Sequence, residues 1–476
     1  MKTKRITAVL LAFASLFGTT ACGGEETKSE TTTTADETTI QTPEYNLPER
    51  KNLGGREFTI LAAGGRSELF DAEQTGDVVD DAAHQRKLDT EDHLGIKINF
   101  IEKDSGWRVA AEFSQTITSA VMSGDDTYDL MSGAMTVIPK LAMSGNFLDI
   151  TKLPVDLSNP WWVGRLADTA GINGRLYSLV GDMSTTMYNA AAVVYYNKKL
   201  HTDYSLPDLY RLVNDGKWTV DEMLSLSKNI SSDLNGDGEI TRDDDLIAIS
   251  GHFTPFATIQ ASCGINIFEK ENGIPVFRGQ NERLISVCEK FTAAVSDKTF
   301  YIKNGDEYEV WAKSFMEDRN LFQFSTLRVA STLRGMESDF GILPFPKYDE
   351  NQENYVSDVS QSTVLWCVPV TAKDPELTSE FCEAFAYYSR NNVIPAYYEK
   401  ALRGKYSRDS ETGEMLDLIR SGLRLTLDGY LNHCFSVNPF NTTAKLIESG
   451  SDVSSYFAEN SESWKADLDA IIKAYD

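Results

Sequence analysis

Residues 58–62 read Phe58-Thr59-Ile60-Leu61-Ala62, and a Gly64-Gly65 turn follows. A short apolar run closed by glycines predicts a strand covered on both faces. Outward from it, Val78 to His93 carries helix-compatible spacing, and Gly95 stops that helix. Ile96-Lys97-Ile98-Asn99-Phe100 then alternates with period two, the pattern of a half-buried strand. Trp107 to Met122 reads as a second helix, Tyr128-Asp129-Leu130-Met131 as a short strand, and a further helix lies near Pro139. This alternation predicts an α/β fold in which a parallel sheet carries helices on its faces. Ligands of such sheets bind beyond the carboxyl ends of the strands, which points to the loops at 64–68 and 132–136.

A second α/β segment follows. Ala190 to Tyr196 is rich in strand formers, and Leu246-Ile247-Ala248-Ile249 reads as another strand. Thr219 to Glu222 forms a capping box, with Thr219 as N-cap and Glu222 at the third helical position. Phe340-Gly341-Ile342-Leu343 is a strand stopped by Pro344, Thr363 to Pro369 is a further one, and the last 85 residues or so read as largely helical.

The N-terminus has a different character. Lys2, Lys4 and Arg5 precede the apolar run Ile6 to Phe17, and small residues lead to Cys22. About a dozen apolar residues fall short of the roughly 20 that span a bilayer, so residues 1–21 are expected to be a secretory signal. Cys22, directly after Thr19-Thr20-Ala21, resembles the lipidated cysteine of the bacterial lipobox; the alternative is an ordinary signal cut nearby, with Cys22 incidental. Residues 22–45 are Thr-rich and nearly devoid of apolar side chains, the composition of a disordered tether. As a flexible coil, about 23 such residues span about 25–30 Å.

The remaining chain is too long for one ordinary core and predicts two lobes. Net charge is −26, or −29 once Lys2, Lys4 and Arg5 are removed with the signal. That balance disfavours nucleic acid and anionic lipid surfaces as partners. Beyond Cys22 stand five cysteines, Cys263, Cys288, Cys367, Cys382 and Cys434, with no C-x-x-C spacing. Neither a metal cluster nor a disulfide framework is expected, although Cys263 and Cys288 are candidates to pair.

The sharpest local motif is Asp233-Leu234-Asn235-Gly236-Asp237-Gly238-Glu239-Ile240-Thr241-Arg242-Asp243-Asp244. It fits a 12-residue calcium loop, with Asp233, Asn235 and Asp237 at positions 1, 3 and 5 and Gly238 at the sharp turn. Glu239 offers its carbonyl, Thr241 acts directly or through water, and Asp244 closes the site where a Glu is usual. The alternative is an unmetallated polar turn in an acidic protein. A bound calcium would be structural.

Several segments then point to one family. Gly54-Gly55-Arg56-Glu57-Phe58-Thr59-Ile60, Asn159-Pro160-Trp161-Trp162, Gly174-Arg175-Leu176-Tyr177 with Gly181-Asp182, and Val194-Tyr195-Tyr196-Asn197-Lys198-Lys199-Leu200 occur in order. Gly216-Lys217-Trp218-Thr219, Ile342-Leu343-Pro344-Phe345-Pro346-Lys347 and Pro395-Ala396-Tyr397-Tyr398 follow. From about residue 50 to 476 the chain resembles the extracellular solute-binding lipoproteins of bacterial ABC importers, in the sugar-binding class. The resemblance implies a two-lobed clamp, each lobe a sheet flanked by helices and built from discontinuous sequence. Lobe 1 would comprise 46–182 and 340–390, and lobe 2 would comprise 183–339 and 391–476. The crossings would lie at 179–186 and 335–340, with Gly181 and Gly335 able to absorb dihedral change. It further implies a monomer, tethered outside the cell membrane through Cys22, that captures a carbohydrate by lobe closure and delivers it to ABC permease subunits.

A sugar's apolar face packs on aromatic rings while carboxylates and amides take its hydroxyls. The candidates are Trp366, Asp182, Tyr188, Arg66, Ser67 and Trp162. Each has a plainer alternative: Trp366 lies between Leu365 and Cys367 and suits a core, Trp161 and Trp162 suit a small core under a loop, and Asp182 suits a turn cap. Arg66 would also suit an anion, which keeps a peptide or anionic metabolite, or ligand sensing, as alternatives to sugar import. Chemistry is not expected. Histidines stand apart at 84, 93, 201, 252 and 433, with no H-E-x-x-H, G-x-S-x-G or G-x-x-x-x-G-K-[ST]. A secreted glycosidase needs only two carboxylates, which 71 acidic residues do not exclude.

Overall fold

The computed structural model describes residues 47–64, 71–163, 166–303, 308–398 and 411–476. Cys22, Arg66 and Ser67 lie outside them. Among the described residues, nine strands form the two larger sheets: β1 (Arg56–Gly64), β2 (Ile96–Asp104), β3 (Leu130–Ala134), β4 (Ala192–Asn197), β5 (Ile247–His252), β6 (Phe300–Lys303), β7 (Asn320–Thr326), β8 (Phe340–Leu343) and β9 (Val364–Cys367). The first sheet has the order β9-β3-β1-β2 and the second β8-β4-β7-β5-β6.

In the first sheet β1 is flanked by β2 and β3, parallel to both, so that Ile60 faces Phe100 on one side and Leu130 on the other. A strand covered on both faces has no polar side to present, which is why 58–62 reads as continuous apolar sequence. β2 is an edge, and its buried Ile96 and Ile98 flank an exposed Lys97 as the alternation predicts. Asp129 sits at the start of β3 and accepts the Thr59 N–H at 2.8 Å, tying β3 to β1.

Helices cover the sheet. α1 (Val78–Leu94) is capped by Asp77, and Gly95 ends it in the left-handed region at φ 65°. A Cβ on Gly95 would lie 2.5 Å from the Leu53 nitrogen, so only glycine fits there. α2 (Ala110–Met122) matches the second predicted helix, with residues 107–109 forming a 3-10 turn ahead of it. α3 (Pro375–Tyr388) lays Phe381 against Phe58 of β1, the rings stacked at 4.3 Å. Burying an aromatic of this size contributes about 1.5–3 kcal/mol.

In the second sheet β8, β4 and β7 run antiparallel, while β7, β5 and β6 run parallel. Its core is aromatic: Phe256, Phe291, Phe300 and Phe324 lie within 6.5 Å of one another, centroid to centroid. Thr219 accepts the Glu222 N–H at 3.2 Å, as the capping box requires. The C-terminal part is helical, with α4 (Glu411–Gly422) and α5 (Val453–Ala474) its longer members.

The division of the chain differs from expectation at one strand. Residues 340–343 were expected in the first lobe, yet β8 pairs with β4 in the second sheet. The chain therefore returns to the first sheet only after Leu343, between β8 and β9, and Gly335 precedes β8 on the second-lobe side. The outgoing crossing lies between Leu179, bridged to Trp366, and β4. Gly181 does not serve there as a flexible joint. A Cβ on it would sit 2.1 Å from the Trp161 carbonyl oxygen, so glycine permits close packing of two backbone segments. The pairing considered for Cys263 and Cys288 is not made; both thiols are buried and free. Among the described residues, no helix is long and apolar enough to cross a membrane.

Candidate functional site

A cavity of about 420 Å³ opens where the two lobes meet. One wall is Trp162, Asp182 and Tyr188, joined by Arg390; the other comes from α4 and its exit, with Asp417, Arg420 and Arg424. Trp162 and Asp182 belong to the first lobe, since Trp162 bridges to Gly181 and the neighbouring Trp161 packs edge-on to Tyr387 of α3 at 5.8 Å, while Tyr188 stands on the crossing segment. The second wall belongs to the other lobe, because α4 packs on β8 and Thr412 hydrogen-bonds Tyr210 at 2.9 Å.

The first wall is held from behind by one buried carboxylate. Glu383 of α3 accepts from the Asp156 N–H at 2.7 Å, the Asn159 side-chain amide at 3.0 Å and the Trp161 indole N–H at 2.7 Å. Burial pushes its carboxyl up from the usual range, and these donors pull it back. The Asn159-Pro160-Trp161-Trp162 stretch is thus shaped by a residue more than 200 positions away.

Asp182 is the centre of the cavity's chemistry. The Tyr188 hydroxyl donates to one of its oxygens and the Arg390 guanidinium to the other, at 2.8 Å. Arg390 also donates to the Pro160 carbonyl at 3.0 Å, so it fixes both the loop and the carboxylate. Burial raises the Asp182 carboxyl, opposed by those two hydrogen bonds and by the charge of Arg420. The same burial and the neighbouring Asp182 drive the Tyr188 phenol well above its ordinary value, which keeps it a donor. Arg390 stands on a π-helical turn, Ser389–Val393, that continues α3 and turns its side chain toward the cleft. Across from it, Arg420 lies over the faces of Tyr188 and Tyr398, 5.8 and 5.2 Å from their centroids.

Three candidates, Asp182, Tyr188 and Trp162, therefore meet at one cavity. Trp366 is elsewhere: it is fully buried in β9, donates its indole N–H to Ser184 at 3.1 Å and packs on Phe385 at 6.0 Å. A tryptophan inside an apolar strand is spent on the core, and in this conformation Trp366 backs the crossing segment. The segment expected as a loop at 132–136 instead continues β3 as far as Ala134, and within the strand Ser132 accepts from the Ala63 N–H at 3.1 Å. Arg390, Arg420 and Arg424 were not foreseen. Arginines on helices read as solvated faces, and only the fold shows which of them turn inward. A larger hollow of about 640 Å³ lies along the outer face of α2, beside Lys103 and Tyr128, and touches the first lobe alone.

The 233–244 loop is closed by its own hydrogen bonds. Asp233 accepts from the N–H groups of Gly236 and Gly238 at 2.6 and 2.8 Å. Asp237 and Asp244 converge on the Asn235 side-chain amide at 3.1 and 2.9 Å, and Thr241 donates to Asp244 at 2.6 Å. No group of three Asp, Glu, His or Cys side chains placed to hold a metal occurs among the described residues.

No protein-family model matches this chain, and no curated protein does. Solved structures do. The galacto-N-biose/lacto-N-biose I-binding protein of an ABC transporter from Bifidobacterium longum, in complex with lacto-N-biose, has a TM-score of 0.59 at 13% identity, covering 88% of this chain and 98% of its own. A cyclo/maltodextrin-binding protein complexed with maltotetraose has a TM-score of 0.55 at 11% identity, covering 88% of this chain and 96% of its own. The likeness extends over most of this chain and nearly the whole of each neighbour, and what is shared is the fold, an α/β clamp of two lobes.

Proposed function

We propose that this protein is the solute-binding component of an ABC importer, capturing a carbohydrate between its lobes and presenting it to the permease. The observation that carries the reading is the interlobe cavity, where the Trp162 and Tyr188 rings stand beside charged hydrogen-bonding groups. Aromatic faces take the C–H surface of a pyranose, and the flanking polar groups take its hydroxyls. The two structural neighbours, each bound to an oligosaccharide, support this cargo class. The protein performs no chemistry in this reading, and a lipidated Cys22 tethers it outside the cell membrane as a monomer. Metabolic labelling with a palmitate analogue tests the anchor: wild type is expected to be labelled and Cys22→Ser unlabelled.

Thermal unfolding of the folded body, Asn46–Asp476, against mono- and oligosaccharides tests the cargo. A saccharide at about 100 times its dissociation constant adds about 2.7 kcal/mol and raises the midpoint. Chromogenic glycosides are expected to release no product. A response to peptides alone would remove the carbohydrate assignment. Asp182→Ala is expected to weaken saccharide binding by about 100-fold, close to 3 kcal/mol, because it releases both Arg390 and Tyr188. Titration calorimetry on the variant checks this, and an unchanged affinity would place the ligand elsewhere.

The reading includes a structural calcium at 233–244, supported by the oxygen side chains at its first, third and fifth positions and by the convergence of Asp237 and Asp244. Millimolar calcium is expected to raise the unfolding midpoint of wild type and leave that of Asp233→Ala unmoved. Equal midpoints with calcium and with chelator would leave the loop a self-bonded turn.

A further inference from the structure

We propose that the saccharide taken by this cavity is an acidic one, carrying a uronic-acid carboxylate that seats on Arg420 and Arg424. The proposal rests on the carrier reading and narrows its cargo. The chain as a whole carries −26, yet among the described residues the cavity reverses that sign: Arg390, Arg420 and Arg424 face Asp182 and Asp417, a formal balance of +1. Asp182 is already met by Arg390 and by the Tyr188 hydroxyl. Its charge is committed within its own wall.

Arg420 stands differently. Its guanidinium is held over the faces of Tyr188 and Tyr398, and no hydrogen-bond acceptor reaches it among the described residues. The two rings stand at 85° to one another, so they confine the guanidinium from two sides and leave an edge of its N–H groups without an acceptor among the described residues. That edge matches a carboxylate in two parallel hydrogen bonds. Arg424 spends one nitrogen on the Ser421 and Leu423 carbonyls, at 2.7 and 2.8 Å, which are neutral acceptors and leave its charge unopposed. The buried hydroxyl of Tyr398, beside Arg420, has no hydrogen-bond partner among the described residues either. A neutral sugar would close this cleft over more guanidinium groups than carboxylates among the described lining residues, at a desolvation cost that an anionic ligand offsets. The ring of Trp162 on the cavity wall argues that the anion is borne by a sugar ring with an apolar face rather than by a bare ion.

The experiment is titration calorimetry of the protein with galacturonate dimer and trimer and with the matching galactose oligomers, at low and at physiological salt. The uronates are expected to bind at least about 10-fold more tightly than their neutral counterparts, with the margin shrinking as salt rises. Arg420→Gln is expected to bring the two affinities to parity, and Arg420→Lys, which keeps the charge and loses the fork, to recover part of the margin. Unfolding midpoints of both variants show that they are folded. Galactose oligomers binding as tightly as the uronates, or a uronate margin that survives Arg420→Gln and Arg424→Gln together, would overturn the acidic assignment and leave the carrier reading intact. Binding of no saccharide in either series, with binding of a peptide or a small carboxylate, would overturn both.

Discussion

Glu383→Ala is expected to lower stability by about 3–5 kcal/mol, a large share of the margin of an ordinary domain. The side chain is buried in α3, and its carboxylate is the acceptor for three donors on a loop that has no secondary structure of its own between 153 and 163. Alanine removes the acceptor and leaves the buried Asn159 amide and Trp161 indole without partners, while the Asp156 N–H, nearer the surface, turns to water. Each such orphan costs about 1–3 kcal/mol, and part of the sum is returned because an uncomfortable buried charge has also gone. Glu383→Gln keeps the volume and one acceptor oxygen but turns an N–H₂ toward donors, so it is expected to lie between the two. Urea midpoints of the three proteins test the order. Saccharide affinity should fall with stability, because Pro160 and Trp162 belong to the same loop. A Glu383→Ala variant as stable as wild type would show that the loop is held by its apolar packing alone.

The first lobe was legible because its signals are local. The apolar run at 58–62, the period-two strand at 96–100 and the glycine stop at 95 each state their own environment, and β1, β2 and α1 follow them closely. The strand at 340–343 was legible as a strand but not as a member of the second sheet. A four-residue apolar run does not name its partner, which here lies about 145 positions earlier in β4. The site shows the same split. Asp182, Tyr188 and Trp162 lie near the crossing that sequence order suggested, and the cavity brings them together. Trp366 reads either way in sequence, because strong aromatic character serves a core as well as a cleft, and in the fold it is buried in β9. The three arginines escaped notice because their role depends on a π-helical turn and on which face of α4 meets the other lobe, and neither leaves a local mark in the residues.

Stability is expected to fall as pH rises from about 5 to about 8, the reverse of the usual carboxylate behaviour. Asp358 and Asp428 are the cause. Asp358 accepts from the Val359 and Thr426 N–H groups at 2.9 Å and from the Thr426 hydroxyl, on the return segment that pairs with residues 423–424. Asp428 accepts from the Ile267 and Phe268 N–H groups at 2.8 and 2.9 Å and from Gln260 at 2.9 Å. Burial is the main cause, Asp428 adds to the rise at Asp358 and Glu269 to that at Asp428, and no cation among the described residues offsets them, so both are pushed up to about 7. Between the ordinary carboxylate value of 3.8 and about 7, the folded protein therefore holds protons that the unfolded chain releases. The folded state is favoured at the acid end of that window and loses the advantage as pH passes through 7. A shift of this size in one group is worth about 4 kcal/mol. The pair yields less than twice that, since a proton on either relieves the other. Asp358→Asn separates this effect from the general repulsion of an acidic chain. The asparagine oxygen keeps the two N–H donors, and its N–H₂ can donate to the Thr426 oxygen. The variant is expected to gain stability at pH 8, to match wild type near pH 5, and to show a flatter profile in urea midpoints taken at pH 5, 6.5 and 8. A wild-type midpoint that climbs with pH instead would mean that the backbone donors hold both acids ionised in the fold, and that burial does not govern them.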